Sequence, residues 1–306
     1  MASTPVEQDR LWRQEYRAYR YLEFATPEDL RQRMIDLSEN VYIVDRRGRL
    51  SMKSDIPEWL RLITHIQEEI GIRSIGLQVP FVPPYRKVGR AAELWDPLNL
   101  RYGSYLLKFG KREHVHSLFT KGLIRLAPAE TYNDPKLSYA IADDERRFIQ
   151  ESIGGSIGIP PNGDLRIPQE KWINAPILGT LKTIQNYTGQ AYMACFARRY
   201  DYRLFEDFEY DACMVIRDPL RFLKKMKDVA ESLPPGFQFY FDNVQYRDPF
   251  QPKRDNDVLY TKHFKYAYQD EFRVTWDRAP VDGELPLQPI FLELGPLTEY
   301  CDYLVL

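Results

Sequence analysis

The sequence contains few of the residues that build disulfide frameworks and metal centres. Its 306 residues include three cysteines and four histidines. Cys195, Cys213 and Cys301 form no Cys-x-x-Cys pair, and no His-Glu-x-x-His sequence occurs, so neither a disulfide scaffold nor a zinc site is expected. His114 and His116 would point in nearly opposite directions on a helix and could not share a metal ion. We therefore expect reduced thiols and no resident metal.

A strong charge of one sign and a long apolar run are also missing. Lys and Arg number 42 and Asp and Glu 44, so the formal net charge is −2, which argues against coating nucleic acid by bulk electrostatics. No stretch approaches the roughly 18–20 apolar residues of a membrane span, and the N-terminus lacks the apolar core of a secretory signal. We expect a soluble, cytoplasmic protein without membrane contact.

Phosphate-binding glycine motifs are absent as well. The segment Gly154-Gly155-Ser156-Ile157-Gly158 is not followed by Lys-Ser or Lys-Thr, and it does not fit the dinucleotide-binding Gly-x-Gly-x-x-Gly pattern. Because glycine usually marks backbone freedom, residues 151–164 are predicted to form a loop or flap.

Apolar residues make up 44% of the chain, which is ample for a core, and helical patterns come first. Thr26-Pro27-Glu28-Asp29 has the order of an N-cap, a proline and acids that begins a helix. Apolar positions between Trp59 and Ile70 recur with the helical period. Residues 72–100 contain several prolines and are expected to be extended. We therefore predict a mainly helical region over residues 1–100 that ends in a Pro-rich connector.

Strand patterns dominate from Tyr102 onward. Tyr105–Phe109 is predicted as a strand, followed by a helix that Gly122 ends and by a second strand over 123–126. One further helix is predicted after Asp218-Pro219. Further strands are predicted over 192–197, 212–216, 237–246, 272–276 and 290–294. Because helices and strands are segregated along the chain, residues 101–306 are predicted to form an α+β core domain.

The near-neutral total charge conceals a local excess. Residues 101–125 carry six cations against Glu113 alone, whereas residues 206–211 carry four acids and no base. A basic strand–helix–strand unit can hold a phosphate-bearing ligand or nucleic acid, or it can be an ordinary solvated surface. Lys108 differs from the other cations because it lies between Leu107 and Phe109 in an apolar strand. Burying a charge there costs free energy unless the charge is paired.

Aromatic residues recur at even positions near the C-terminal end of the chain. They are Tyr260, Phe264, Tyr266, Tyr268, Phe272 and Trp276. On an extended chain they would share one face, and Glu271 and Arg273 would share the other. A carboxylate on a rigid strand can orient a hydroxyl group or act as a base. Glu271 and Arg273 can equally form an ordinary pair on the surface of a half-buried strand.

The order of these motifs resembles that of a widespread bacterial family of unknown function. Its members show a Lys-Phe strand, a Phe-Asn-Asp turn, a Cys-Phe-Ser strand and a Glu-x-Glu-Tyr-Arg signature. The similar segments here are Lys108-Phe109, Tyr132-Asn133-Asp134, Cys195-Phe196-Ala197 and Gln269-Asp270-Glu271-Phe272-Arg273, so the resemblance covers about residues 102–295. That family is linked to phage-defence and toxin loci and to the ADP-ribosyltransferase-like fold.

The resemblance implies an NAD-dependent effector with an ADP-ribosyltransferase-like split β-sheet core. Such an effector, a candidate toxin in antiviral defence, would transfer ADP-ribose to a nucleic acid or protein acceptor. Glu271 would be the catalytic acid that positions the nicotinamide ribose. The residues that would contact NAD are Tyr105, Lys108, Tyr192, Phe196 and Arg273.

Two other functions remain open from the residues themselves. The basic residues and exposed aromatics of a non-catalytic module could bind nucleic acid. The many tyrosines could instead form the interface of an interaction protein.

Overall fold

The structure is a computed structural model of the chain, and it describes residues 4–44, 49–53, 57–76, 87–134, 136–138, 140–141, 143–153, 156–159, 161, 166, 168–171, 173–176, 180–229, 233, 235–251, 257–280 and 287–306. Helices and a mostly antiparallel sheet occur together, which confirms the α+β class. The helices are α1 (Pro5–Ala18), α2 (Pro27–Val41), α3 (Pro57–Arg73), α4 (Val88–Trp95), α5 (Arg112–Lys121), α6 (Arg203–Asp207) and α7 (Pro219–Val229).

The strands follow the same order along the chain. They are β1 (Tyr42–Val44), β2 (Leu50–Met52), β3 (Leu106–Gly110), β4 (Leu123–Pro128), β5 (Arg147–Ile153), β6 (Ser156–Ile159), β7 (Ile173–Pro176), β8 (Thr180–Asn186), β9 (Gln190–Ala197), β10 (Ala212–Ile216), β11 (Gln238–Asn243), β12 (Gln245–Arg247), β13 (Thr261–His263), β14 (Glu271–Arg278), β15 (Ile290–Glu293) and β16 (Cys301–Val305).

The main sheet has the order β11-β14-β9-β3-β10-β16, with antiparallel neighbours throughout, and it divides at β9. Along one edge, β9 pairs with β14 over its whole length. Along the other edge, β4 pairs at Tyr192 and Met193, whereas β3 pairs at Ala197. Cys195 lies between these two pairings, so a gap between β3 and β4 opens beside the middle of β9. Beyond β4, the branch continues to β15.

Each face of the sheet is covered by its own hydrophobic cluster. On one face, α5 and α7 pack on residues that include Leu106, Phe196 and Trp276. On the opposite face, α4 and α6 pack on residues that include Leu107 and Phe109. Helix α5 ends at Gly122 as predicted, with φ of 74°, and a Cβ there would lie 2.1 Å from the carbonyl oxygen of Gly295. The division of the sheet therefore lies between two packed layers.

Helices α1, α2 and α3 form a third cluster that includes Phe264 from the C-terminal part of the chain. The Asn40 side-chain amide donates to the Phe264 carbonyl at 2.8 Å, and Arg33 pairs with Asp248. The first hundred residues therefore pack on the segment that carries β12 and β13, and the boundary at residue 100 stays a prediction. Within the described residues, no helix combines the length and the hydropathy of a membrane span.

The extended connector predicted over residues 72–100 is wrong for residues 88–98. Helix α4 occupies Val88–Trp95, and a 3₁₀ turn follows over Asp96–Leu98. Ala91 and Ala92 are buried in α4, and Ala91 packs against the sheet, so tertiary contact stabilises a helix between the prolines. Pro80, Pro83 and Pro84 lie outside the described residues.

The continuous strand implied over residues 260–276 is also wrong. A 3₁₀ helix, Phe264–Gln269, separates β13 from β14. The His263 ring accepts the Lys265 N–H at 3.1 Å and caps this helix, and Asp270 ends it with φ of 44°. The even-numbered aromatic residues therefore do not share one face.

The predicted loop over residues 151–164 is wrong in part. Ser156–Ile159 forms β6, which pairs with β7. Gly154, Gly155, Asn162 and Gly163 lie outside the described residues.

Candidate functional site

A cavity of about 110 Å³ lies at the division of the main sheet, and we call it the gap cavity. Strands β3 and β9 line it with Lys108 and Cys195, and β14 contributes Glu271. The chain after β4 contributes Tyr132, and the chain after α6 contributes Tyr210. Elements that are distant in sequence therefore meet at this cavity.

Lys108 lies in the gap between the two branches of the sheet. Its Nζ donates to the Cys195 carbonyl at 2.8 Å and lies 5.3 Å from the centre of the Phe196 ring. Among the described residues, that carbonyl is the one acceptor within hydrogen-bond distance, although an ammonium carries three donors. Burial lowers the pKa of Lys108, and the Glu271 carboxylate opposes this shift only in part. The Lys108 ammonium therefore lines the cavity with N–H donors that no described residue accepts.

Four buried charged side chains of alternating sign lie beside the gap cavity, and we call them the charge ring. Lys262 Nζ is 3.1 Å from Glu145 Oε1 and 3.1 Å from Glu271 Oε2. Arg273 Nε is 2.9 Å from Glu271 Oε1, and Arg273 Nη2 is 2.7 Å from Glu145 Oε2, although this last pair is not aligned as a hydrogen bond. None of the four side chains is more than 7% exposed. The ring carries no net charge.

Backbone and amide groups hold the charge ring in place. The Glu271 N–H donates to the Tyr246 hydroxyl at 2.8 Å. Lys262 Nζ donates to Gln269 Oε1 at 3.3 Å, and the Gln269 amide donates to the Ala140 carbonyl at 2.7 Å. A buried ion pair repays its desolvation only when such additional hydrogen bonds are made. The charge ring is therefore part of a hydrogen-bonded polar network in the protein interior.

Glu271 and Lys262 of the charge ring keep their charges near neutral pH. Burial alone would raise the pKa of Glu271, but Arg273 and Lys262 outweigh burial and hold that pKa well below its ordinary value. Burial would lower the pKa of Lys262, but Glu145 and Glu271 hold it well above its ordinary value. Burial raises the pKa of the Cys195 thiol to about 12, so it is not a thiolate nucleophile. Glu271 and Lys262 therefore offer a fixed negative and a fixed positive charge at neutral pH.

Glu271 and Arg273 share one face of β14, as expected, and their side chains form an ion pair. The alternative that they form an ordinary surface pair is wrong, since both are buried. Lys108, Phe196 and Glu271 all line the gap cavity, and Arg273 contacts Glu271 from within the core. Four of the six predicted site residues are thus brought together, and their roles stay predictions.

Tyr105 and Tyr192 do not line the gap cavity. The Tyr105 ring packs on Trp95 at 5.1 Å in the cluster under α4. The Tyr192 ring packs on Phe237 at 5.4 Å in the cluster under α7. Tyr192 lies four residues from Phe196 on the same face of β9, a distance of about 13 Å along a strand.

Sequence reasoning missed Glu145, Lys262 and Gln269. Lys262 lies between Thr261 and His263, so it lacks the signal that singled out Lys108, a charge between two apolar residues. Glu145 has no such signal, because it belongs to a run of charged residues over 143–147 that is typical of a solvated surface.

Five of the six basic residues of 101–125 are exposed, and Lys108 is the exception. Lys108 lines the gap cavity, and Lys111 Nζ donates to the Glu209 carbonyl. The Arg112 N–H donates to Asp211 Oδ1 at 2.7 Å. The acidic stretch 206–211 therefore lies against the basic unit and offsets part of its charge.

The residues at the gap cavity do not fit a whole NAD molecule. A cavity of about 110 Å³ is small beside the roughly 300–1,000 Å³ of typical ligand pockets. Each Glu271 oxygen already contacts one cation, so a ribose hydroxyl would have to share that oxygen with Arg273 or Lys262. Within the described residues, no His, Cys, Asp and Glu side chains are grouped as a metal ion would require. Comparison with family models, curated proteins and solved structures finds no match to this chain.

Proposed function

We propose that this chain binds a small acidic compound in the gap cavity. The observation that carries the proposal is the position of Lys108, whose ammonium lines the cavity with one protein acceptor among the described residues. A partly desolvated ammonium is stabilised by an anionic partner that fills its remaining donors. The small cavity favours a compound of a few heavy atoms over a dinucleotide.

The charge ring supports binding better than proton transfer. Glu271 and Lys262 line the cavity, so a ligand can meet one fixed acceptor and one fixed donor beside Lys108. A general acid or base needs a pKa near the working pH, whereas Arg273 and Lys262 hold the pKa of Glu271 far below that range, against the effect of burial. The ring is therefore suited to orienting a polar group.

A thermal-shift screen of small carboxylates and phosphates tests this proposal. Lys108→Met removes the ammonium at similar volume, and Lys121→Met removes an exposed cation of α5 as the matched control. An acidic ligand should raise the melting temperature of the wild type and of the control by mass action, and it should leave Lys108→Met unchanged. An equal shift in Lys108→Met, or no shift with any acid at millimolar concentration, would contradict the proposal.

ADP-ribosyl transfer is the second candidate: the position of Glu271 favours it, but it requires that only part of NAD enters the gap cavity, which is too small for the whole molecule. Glu271 is a strand-borne carboxylate that lines a cavity where a β-sheet divides, as the resemblance implies for the catalytic acid. The test is nicotinamide release from NAD by the wild type, Glu271→Gln and the exposed control Glu113→Gln. Under this candidate Glu271→Gln loses about 100-fold or more in rate, and Glu113→Gln loses nothing. No release by the wild type would reject it, independently of the result with Lys108→Met.

A further inference from the structure

A second cavity, of about 190 Å³, lies between the N-terminal helical region and the main sheet, and we call it the cationic cleft. Lys53 and Trp59 line it from the first hundred residues. Tyr102, Arg198 and Arg199 line it from the later part of the chain. It shares no lining residue with the gap cavity, so it is a separate site.

The charges that line the cationic cleft are unbalanced. Lys53, Arg198 and Arg199 face one carboxylate, Asp270, which leaves a net charge of 3 − 1 = +2. Asp270 is already engaged, since Arg198 Nε donates to it at 3.1 Å and the Tyr102 hydroxyl donates to it at 3.1 Å. Arg199 Nε lies 3.8 Å from the same carboxylate, and Lys53 Nζ lies 3.7 Å from a second carboxylate, Asp201. Counting Asp201, two carboxylates therefore face three cations, and the remaining positive charge favours a further anion.

Lys53 supplies an independent sign that the cationic cleft takes a ligand. Its side chain is only 8% exposed, and its closest carboxylate oxygen, Asp201 Oδ2, is 3.7 Å away. No group of the described residues accepts a hydrogen bond from this ammonium. Burial lowers the pKa of Lys53, and Asp201 opposes that shift. A buried ammonium without an acceptor is costly, so an anion from solution would stabilise it.

Aromatic side chains give the cleft flat surfaces beside its cations. The Arg199 guanidinium lies 5.0 Å from the centre of the Tyr102 ring. Trp59 stacks on Phe264 at 6.1 Å and is thereby fixed in orientation. Tyr246 also lines the cleft. Such surfaces suit the planar group of a larger anionic ligand.

We infer that the cationic cleft binds a phosphate group, either as the free anion or as the phosphate of a nucleotide. Two guanidinium groups and one ammonium can surround a phosphate, and the guanidinium fork matches phosphate oxygens in pairs. Because Lys53 and Trp59 come from the first hundred residues, the N-terminal helical region supplies part of this site. The site requires no ligand in the gap cavity and does not depend on the function proposed there.

Calorimetric titration of the full chain tests the inference with inorganic phosphate, AMP and adenosine as probes. Phosphate and AMP should bind, with affinity that falls as salt is raised, and adenosine should bind at least tenfold more weakly than AMP. Equal affinity for phosphate and AMP would assign the free anion, and tighter AMP binding would assign a nucleotide. Absence of binding by phosphate and AMP, or adenosine binding as tight as AMP binding, would overturn the inference.

Two variants locate the binding at the cleft. Lys53→Met and Arg199→Gln should each weaken binding of the tighter-binding probe, phosphate or AMP, at least tenfold. Lys121→Met should bind that probe with the affinity of the wild type. Melting curves establish that each variant is folded. If Lys53→Met does not fold, Arg199→Gln alone decides, because its side chain is 26% exposed. Unchanged affinity in the folded variants would overturn the inference.

Discussion

The protein contains two groups of charged residues that are both partly or wholly buried, yet they differ in what surrounds them. The helix ion-pair group joins α1 to α3, with Arg13 Nη1 2.9 Å and Arg17 Nη2 2.6 Å from the Glu68 carboxylate. Arg20 Nη2 lies 2.9 Å from Glu69, which also accepts the Tyr16 hydroxyl at 2.5 Å. In that group the carboxylates are buried, but the arginines are 28–64% exposed.

The charge ring differs from the helix ion-pair group in the burial of its cations and in its position beside a cavity. All four of its members are buried, and three of them line the gap cavity. The pairs of the helix ion-pair group connect α1 and the residues just after it to α3 and line neither cavity, so packing accounts for them. Burial of a charge pair is therefore not by itself evidence of a site, whereas a buried network beside open volume is.

The largest expected effect comes from breaking the charge ring. Arg273→Met should lower the free energy of unfolding by about 3–5 kcal/mol, because it leaves Glu145 and Glu271 buried with Lys262 as their one remaining ring cation. Chemical denaturation of the variant and the wild type measures the difference. A loss below about 1 kcal/mol would mean that the ring is not the desolvated network that its geometry indicates.

Within the helix ion-pair group, Glu69→Gln should cost about 1.5–3 kcal/mol. The substitution removes the charge that holds Tyr16 and Arg20 but leaves one amide acceptor in its place. Glu23→Gln is the control, because Glu23 pairs with the same Arg20 while 45% exposed, and its loss should be under about 1 kcal/mol. Equal losses in the two variants would remove the distinction between buried and exposed carboxylates of this group.

Acid should destabilise the junction between the two regions through His263. Burial lowers the pKa of His263 to about 3, whereas the unfolded chain titrates near 6.5. Between these pH values the unfolded chain binds a proton that the folded protein resists, so stability falls as pH falls, by at most about 1.4 kcal/mol per pH unit.

His263→Asn isolates this contribution, because Asn keeps an acceptor for the Lys265 N–H but does not titrate. Its stability should fall less than that of the wild type between pH 6.5 and about pH 4, as measured by denaturation at each pH. Burial raises the pKa of Asp143 to about 6, which acts in the opposite direction, but it acts equally in both proteins. If the stabilities of the variant and the wild type change with pH in parallel, His263 does not contribute to the acid destabilisation.

The smallest effect is expected at the solvent-exposed rim of the helix ion-pair group. Arg17 is 64% exposed, so Arg17→Gln should cost about 0–1 kcal/mol, and added salt should reduce the difference further. Denaturation at low and high salt measures both. A loss as large as that of Glu69→Gln would show that exposed and buried members of the group contribute alike.

The helix ends illustrate how far local sequence signals extend. Thr26 caps α2 and exchanges hydrogen bonds with Asp29, and Gly122 ends α5 in the left-handed region, because caps depend on a few neighbouring residues. The signals failed over residues 88–98 and 264–269, where helices form against tertiary neighbours or around one capping side chain. Strand β16 was not predicted, although it pairs with β10 along five residues.

The sequence predicted part of the candidate site. Lys108 was singled out as a charge in an apolar strand, and Glu271 and Arg273 by their period-2 spacing. Glu145 comes from a charged run 126 residues before Glu271, so no local pattern connects them. Tyr105 and Tyr192 were expected beside Lys108 and Phe196 because the family resemblance implied it, but their rings enter separate hydrophobic clusters.

The sequence by itself determined the α+β class, most strands of the main sheet, helices α5 and α7, and the unusual position of Lys108. These properties follow from apolar periodicity, caps and turn residues, which act over a few positions. Only the tertiary structure decided that the sheet divides at β9, that Lys108 occupies the resulting gap and that Glu145 and Lys262 complete a ring with Glu271 and Arg273. Strand pairing and the burial of charge are set by contacts between residues far apart in the chain, and the spacing of residues along one strand does not encode them.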